Sequence, residues 1–348
     1  MGKYFETKLT PGKSRRWGLA FVILVALGMT TSPAATKKRS KPAPKKPVPT
    51  NVESEDESKA PVSNGKLPKS THLLEAGELP LTAAGAIVID CQTGRTLYEL
   101  NSDEAQYPAS TTKTMTALLI IEAGDLDKEI VVNEEEAKVG ESSLQLRVGE
   151  RYTRRQMLYG LMLKSANDVA HSLGRDNAGS IEAFAKKMTQ RAKELGATDT
   201  NFKNPHGLHD VEHYTTPHDL AVIARYAMQQ PLFRQVVSTK RYSWTRGTPP
   251  GLVTPATPEV WQLSNHNALL TRFDGCTGVK TGYTNPAQHT LISAALRTNR
   301  EVVAVVMHDG KREKWEDSML LLNHGLENPP KLVSDRASPR ADAGVGGQ

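Results

Sequence analysis

Residues 108–121 read Pro-Ala-Ser-Thr-Thr-Lys-Thr-Met-Thr-Ala-Leu-Leu-Ile-Ile, and this stretch decides how the rest of the chain is interpreted. Proline favours the first turn of a helix, and the apolar run after it indicates a helix buried on most sides. Residues three apart on a helix are neighbours, so Lys113 is expected beside the hydroxyl of Ser110. A serine becomes nucleophilic when a base takes its proton, and a lysine is such a base once its pKa falls from about 10.4. The stretch therefore predicts a serine nucleophile activated by lysine.

Two further polar strings follow in order, Ser-Ala-Asn at 165–167 and Lys-Thr-Gly at 280–282. Alternate residues of an extended or turn segment share a face, so Ser165 and Asn167 are expected to point into one site. There Ser165 would relay a proton to the leaving group, and Asn167 would hold a substrate amide.

The Lys-Thr-Gly string is expected at the edge of a strand, because strand-like sequence follows it closely. Lys280 and Thr281 would bind a substrate carboxylate, and the charge of Lys280 would also lower the pKa of the lysine base. Gly282 would let a substrate backbone approach closely. The N–H groups of Tyr283 and Ser110 would form an oxyanion hole.

These strings resemble the low-molecular-weight penicillin-binding proteins of the D-alanyl-D-alanine carboxypeptidase family. The matching stretches lie at 107–113, 158–168, 204–208, 214–216 with 219–220, and 278–284, and they span most of residues 80–326. The resemblance implies an α+β fold of the β-lactamase/transpeptidase type, in which helices flank an antiparallel sheet. It assigns nucleophile, base and relay to Ser110, Lys113 and Ser165, and it implies no cofactor.

The resemblance also implies the substrate, which is the D-alanyl-D-alanine end of the peptidoglycan pentapeptide, with β-lactam antibiotics as covalent inhibitors. In the family an arginine before the last helix helps to hold the terminal carboxylate. The closest register places Lys314 there, and a shift of two residues would place Arg312 there. Lysine lacks the bidentate fork of arginine, so the residue that holds the carboxylate stays open.

Several related activities share these motifs. A D,D-endopeptidase that cuts cross-links and a transpeptidase in which an amine replaces water both stay open. A β-lactamase is less favoured, because no glutamate stands in a recognisable place for deacylation. A catalytically idle wall-binding protein is disfavoured by the intact nucleophile and both lysines.

A zinc-dependent wall peptidase is a further alternative, because histidines crowd one loop at positions 206, 209, 213 and 218. Their spacing lacks the His-Glu-x-x-His pattern of a helix-borne zinc site, so we predict no metal.

Cys91 and Cys276 flank predicted strands. A disulfide is compatible with an oxidising compartment, but we favour two unpaired thiols.

The charge distribution separates the N-terminal region from the rest. The net charge is +6, yet residues 1–59 hold twelve Lys/Arg and five Asp/Glu, so the remainder carries −1. A nucleic-acid-binding domain would carry its positive charge on the fold, and this class is therefore excluded.

Residues 1–35 read as a signal peptide or N-terminal anchor, with Lys13, Arg15 and Arg16 before the apolar run 17–29. Residues 36–80 are predicted to be a disordered linker, rich in Lys and Pro and then acidic, and 329–348 a disordered tail. Residues 81–328 would be the peptidase domain. We expect an exported protein of the periplasm or cell envelope, with any membrane contact through its N-terminus.

The ends of the domain are predicted to build the sheet, and the middle, from Ser110 to about Gln235, to be mostly helical. The clearest helix covers 180–195. The predicted strands lie at 85–90, 96–100, 290–296 and 302–307. A final helix is predicted at 315–324, closed by Gly325. The nucleophile should then lie in the cleft between sheet and helices.

Overall fold

A computed structural model describes residues 78–249, 251 and 257–327 of the 348-residue chain. The predicted signal peptide or anchor (1–35) and tail (329–348) lie outside the described residues, as does the predicted linker up to residue 77.

A five-stranded antiparallel sheet has the strand order β2-β1-β9-β8-β7. Its strands are β1 (Gly85–Asp90), β2 (Thr96–Leu100), β7 (Cys276–Thr284), β8 (Gln288–Arg297) and β9 (Arg300–Asp309). Two ribbons of two strands each pair β3 (Glu129–Val131) with β4 (Arg151–Thr153), and β5 (Arg241–Thr245) with β6 (Val260–Ser264). The four predicted strands are confirmed, and β7 lies at an edge, as expected for the Lys-Thr-Gly string.

The helices are α1 (Lys113–Ala123), α2 (Glu134–Ala137), α3 (Arg154–Leu163), α4 (Asn167–Ala178), α5 (Ile181–Leu195), α6 (Pro217–Met228), α7 (Pro231–Ser238), α8 (Leu269–Arg272) and α9 (Glu313–Glu327). The middle of the chain is mainly helical, as predicted. Caps set several of these boundaries. The hydroxyl of Ser180 accepts from the N–H of Ala183 at 3.1 Å, and that of Thr216 accepts from Asp219 at 3.1 Å.

Helix α1 is the centre of the helical part. Every residue from Lys113 to Ile120 is buried, and the helix packs against α3, α4 and α6. Its apolar side chains join one large core with residues of the sheet such as Ile87, Ile292 and Val305. The chain therefore presents the N-terminal end of a fully buried helix to the sheet.

A tight turn joins β8 to β9. The two residues between the strands, Thr298 and Asn299, have φ of 45° and 63°. Positive φ at both positions is the geometry of the two-residue hairpin turn whose twist matches the flanking strands. This turn fixes the register in which Arg297 faces Arg300.

Helix α9 is longer than the sequence predicts. It begins at Glu313 and ends at Glu327, so the expectation that Gly325 closes it is wrong. Gly325 is buried inside the helix, where a Cβ would lie 2.8 Å from Cγ2 of Val88 and 3.3 Å from Cγ1 of Val302. The glycine therefore serves close packing of helix on sheet, and this packing outweighs the tendency of glycine to end helices.

Two buried carboxyl groups, those of Asp309 and Asp317, hold the segment that precedes β1. Asp317 Oδ2 accepts from the N–H of Thr82 at 2.7 Å and from that of Ala83 at 2.9 Å. Asp309 Oδ1 accepts from Thr82 Oγ1 at 2.8 Å and from the N–H of Gly310 at 2.7 Å. Burial and the neighbouring Asp317 raise the pKa of Asp309 to about 7. The segment before β1 is thus tied to the start of α9.

Neither two-stranded ribbon is predicted from the sequence. The β5–β6 ribbon turns Trp244 inward, where it packs on Tyr152 with ring centroids 4.9 Å apart.

Among the described residues, no helix combines the length and hydropathy needed to cross a bilayer.

Candidate active site

The predicted nucleophile lies in a single 3-10 turn, Ala109–Thr112, that leads directly into α1. The carbonyl of Pro108 accepts from Thr111 Oγ1 at 2.6 Å and from Thr290 Oγ1 of β8 at 3.1 Å. These bonds attach the turn to the sheet, and Ala109 takes a φ of 48° within it. Ser110 is thereby fixed where the helical part meets β7 and β8.

Lys113 lies entirely inside this junction, with a relative exposure of 0%. Its Nζ is 2.9 Å from Ser110 Oγ, 2.8 Å from Asn167 Oδ1 and 2.7 Å from the carbonyl oxygen of His206. The amide and carbonyl oxygens accept hydrogen bonds and cannot donate. A neutral amine has two N–H groups for those two oxygens, and its lone pair then faces the serine hydroxyl.

The electrostatics favour that neutral amine. Burial, followed by the positive charge of Lys280, holds the pKa of Lys113 well below its ordinary range, although Asp168 and Glu141 act in the opposite direction. Desolvation disfavours the charged form of a lysine, and a like charge nearby disfavours it further. The arrangement is what a general base for Ser110 requires.

The Ser-Ala-Asn string enters the same site from the start of α4. Asn167 is the first residue of that helix and points its Oδ1 at Lys113. Ser165 takes a φ of 59° and is 6% exposed. Within the described part of the chain its Oγ is buried without a hydrogen-bond partner, which leaves the hydroxyl available for a reacting group.

Strand β7 forms the opposite wall. Lys280 is 1% exposed, and its Nζ donates to the carbonyl of Thr281 at 2.8 Å. At Gly282 a Cβ would overlap Thr290 Oγ1 and would lie 3.0 Å from the backbone nitrogen of Ser110. The glycine therefore lets the strand edge close on the nucleophile turn itself, whereas the sequence suggested an approach of substrate. The Ser110 amide thus lies at the strand edge next to Tyr283.

The loop 204–208 completes the site, and no role was predicted for it. It supplies the carbonyl of His206 to Lys113. Gly207, at φ 87°, is so close to the turn that a Cβ would overlap the carbonyl oxygen of Ala109. Asn204 Oδ1 accepts from the N–H of Gly207 at 2.7 Å and holds this shape. The only sequence signal for this loop was that residues 204–208 match a stretch of the family. Its role could not be predicted, because a backbone carbonyl group is present in every residue type.

Lys314 lies near the C-terminal end of β7, where His289 of β8 pairs with Tyr283. It is 1% exposed, with its Nζ 3.0 Å from His289 Nδ1 and 4.9 Å from the ring centroid of Trp315. The ring of His289 is 4.5 Å from that of Tyr283. Burial and Lys314 together lower the pKa of His289 to about 3, so this imidazole is neutral. Sequence reasoning missed His289.

The histidines that suggested zinc have other partners. His213 Nδ1 accepts from the N–H of Lys203 at 3.1 Å, so its Nε2 carries the proton toward Thr112 Oγ1, 2.9 Å away. His206 Nδ1 accepts from the N–H of Leu208 at 3.2 Å. Burial lowers the pKa of His213 to about 4. Over 78–249, 251 and 257–327, no three His, Cys, Asp or Glu side chains are grouped to hold a metal.

Both cysteines are unpaired thiols, as favoured from the sequence. Burial raises the pKa of Cys276 to about 11 and that of Cys91 further still. The thiolate is the nucleophilic form, so neither thiol is suited to catalysis.

Comparisons with known proteins agree with this geometry. Residues 73–311 match the D-alanyl-D-alanine carboxypeptidase family, Peptidase S11. The D-alanyl-D-alanine carboxypeptidase DacF of Bacillus subtilis is 37% identical over 234 residues, which are 66% of this chain and 58% of DacF. The D-alanyl-D-alanine carboxypeptidase DacB2 of Mycobacterium tuberculosis is 32% identical over 74% of this chain and 87% of its own length. The solved Streptomyces K15 DD-transpeptidase has a TM-score of 0.67 and 31% identity, covering 71% of this chain and 98% of that one.

Proposed function

The chain belongs to the D-alanyl-D-alanine carboxypeptidase family of serine peptidases, and on this premise we propose that it removes the terminal D-alanine from peptidoglycan stem peptides through an acyl-enzyme on Ser110. The observation that carries the proposal is the buried amine of Lys113, 2.9 Å from Ser110 Oγ, with both of its other neighbours acceptors. That geometry supports a neutral lysine that accepts the serine proton.

In the acylation step Ser110 Oγ attacks the carbonyl carbon of the penultimate D-alanine while its proton passes to Lys113. The carbonyl oxygen becomes negative, and the N–H groups of Ser110 and Tyr283 would stabilise it. The closeness of Gly282 to the Ser110 nitrogen supports this pairing.

The C–N bond then breaks, and the leaving D-alanine needs a proton. Ser165, whose buried hydroxyl has no partner among the described residues, would carry that proton from Lys113 to the amine. In the second half of the reaction water attacks the acyl carbon while Lys113 accepts its proton. The bond from that carbon to Ser110 Oγ then breaks, and Lys113 returns the proton to Ser110 Oγ.

Recognition would use both walls of the cleft. Asn167 would bind a substrate amide, and Lys280 with Thr281 would attract the terminal carboxylate. Lys314 would support the same carboxylate through His289, whose ring lies against that of Tyr283. A lysine provides a point charge in place of a planar fork, so we expect weaker geometric selection at this end.

Covalent labelling tests the proposal. A fluorescent penicillin should acylate the purified protein, and Ser110→Ala should abolish the label while leaving the melting temperature close to that of the wild type. Ser243→Ala, an exposed serine on β5, is the matched control and should label normally. Labelling that survives in Ser110→Ala would contradict the assignment.

Endopeptidase and transpeptidase activity use the same first step. Product analysis on cross-linked and uncross-linked muropeptides, with and without an added amine, distinguishes the three reactions. Free D-alanine from uncross-linked pentapeptides is the result that we expect. The rate of penicillin release after labelling tests the β-lactamase alternative, and activity measured over a series of chelator concentrations tests the zinc peptidase alternative.

We also propose that the protein is exported and works in the cell envelope, because residues 1–35 have the pattern of a signal peptide or N-terminal anchor.

A further inference from the structure

The segment 139–146 runs beside the Ser-Ala-Asn string and forms a lip of the cleft. The N–H of Asn167 donates to the carbonyl of Ser142 at 2.6 Å, and Asn167 Nδ2 donates to that of Gly140 at 3.5 Å. The same Asn167 contacts Lys113 through its Oδ1. One residue, Glu141, is therefore held between two carbonyl groups that are both bound to the active-site asparagine.

Glu141 has a backbone that its residue type disfavours. Its φ is 61°, in the left-handed region that costs a residue with a Cβ roughly 1–2 kcal/mol. Residues in such conformations persist where the surroundings hold them, and they are frequent at ligand sites. The bonds on either side of Glu141 are the surroundings that hold it here.

The carboxylate of Glu141 is exposed, yet its charge reaches into the site. It acts on Lys113, where it opposes the effect of Lys280. In the part of the chain that the structure describes, no hydrogen bond or ion pair engages it. Asp168, the other acid that acts on Lys113, is fully buried and accepts from Ser143 Oγ at 2.7 Å. Glu141 is thus the acid at this lip that is open to a ligand.

The two walls of the cleft consequently carry opposite charge. Lys280 and Thr281 on β7 offer the positive wall, to which the proposed function assigns the terminal carboxylate. Glu141 lies on the wall built around Asn167, between the two residues whose carbonyl groups Asn167 binds. The proposed function assigns a substrate amide to Asn167, so the part of the peptide that carries this amide would lie beside Glu141.

We propose that Glu141 determines specificity by binding a cationic side chain on the acyl side of the scissile bond, such as the ammonium group of a diamino acid that precedes the penultimate D-alanine. This inference rests on the proposed function. It assigns a binding partner to a side chain of the substrate, whereas Asn167, Lys280 and Thr281 are assigned only to a substrate amide and the terminal carboxylate. Exposed ion pairs are worth up to about 1 kcal/mol, which is a factor of about five in kcat/KM.

The test compares two peptides that differ in one charge. Nα-acetyl-L-Lys-D-Ala-D-Ala carries a free ε-ammonium group, and the Nα,Nε-diacetyl peptide does not. D-alanine release should give the wild type a kcat/KM about fivefold higher for the charged peptide at low salt, with a smaller preference at 0.5 M salt. Glu141→Gln and Glu141→Asn should both abolish the preference. Because the preference is a ratio of two kcat/KM values measured on one variant, a changed pKa of Lys113 affects both values alike and does not alter it.

Glu141→Asn serves as a second variant because asparagine tolerates the left-handed conformation, so it removes charge without adding strain. Glu134→Gln on α2, an exposed acid away from the cleft, is the control and should keep the preference. A wild type with equal kcat/KM for both peptides, or a preference that survives in both Glu141 variants, would overturn the inference. If the wild type released D-alanine from neither peptide, the proposed function itself would fall, and the inference with it.

Discussion

Replacing Asp309 by asparagine should stabilise the folded protein relative to the wild type at pH 8, and this advantage should shrink as the pH falls to 4.5. Asp309 is 4% exposed and has a pKa of about 7, raised by burial and by Asp317. The usual aspartate value is 3.8. Between those two values the folded state holds a proton that the unfolded chain has lost. The stability that this carboxyl group contributes is therefore fully present below about pH 4 and is lost as the pH rises through 7.

The size of the effect follows from the same two values. A tenfold change in proton affinity corresponds to about 1.36 kcal/mol, so the interval from 3.8 to about 7 gives at most about 4 kcal/mol. Asparagine keeps an oxygen for Thr82 Oγ1 and the N–H of Gly310, and it cannot ionise. Asp309→Asn should thus match the wild type at pH 4.5 and exceed it by about 2–4 kcal/mol at pH 8.

Urea unfolding at a series of pH values, followed by circular dichroism, measures this difference. Asp317→Ala is the contrasting variant, because it removes the acceptor for the N–H groups of Thr82 and Ala83. It should lose about 2–4 kcal/mol at pH 4.5, since buried donors are left unpaired. The loss should be smaller at pH 8, because the variant also removes the charge that raises the pKa of Asp309. Equal stability of Asp309→Asn and wild type at pH 8, or a difference between the two proteins that does not grow from pH 4.5 to 8, would refute the reasoning.

Two further predictions concern the site and the packing. Lys280→Met should move the acid limb of the pH profile for penicillin acylation to higher pH, because it removes the positive charge that lowers the pKa of Lys113; an unmoved limb would show that burial alone sets that pKa. Gly325→Val should lower the free energy of unfolding by about 1–3 kcal/mol through overlap with Val88 and Val302, with acylation per folded molecule unchanged; thermal melts and labelling of the soluble fraction check both parts.

The elements that the sequence predicts are those in which one physical signal dominates. Strands β1 and β9 contain continuous apolar runs, β8 is a buried run of mostly apolar residues, and α5 has a capping serine and a regular apolar face. The β5–β6 ribbon escaped because its pattern is half polar and its burial depends on partners such as Tyr152. Gly325 was misread because a local rule for helix ends competes with packing that no local pattern reveals.

The site divides in the same way. Ser110, Lys113 and Asn167 could be placed together because their spacing and types carry the chemistry, and the structure brings them within hydrogen-bond distance. The carbonyl of His206 and the imidazole of His289 reach the site through folding of distant segments. Their contributions, a backbone oxygen and a neutral ring, have no signature in the chain.

The nucleophile turn is enclosed by glycines from two distant parts of the chain, Gly207 on one side and Gly282 on the other. Ser110 and Lys113 acquire their spacing locally, but the depressed basicity of the lysine requires both enclosing segments to be in position. Reactivity toward a β-lactam is therefore a property of the assembled molecule. Titration with a labelled penicillin counts correctly folded copies in a preparation, and the same reagent reports, during refolding, the moment at which sheet and helices have joined.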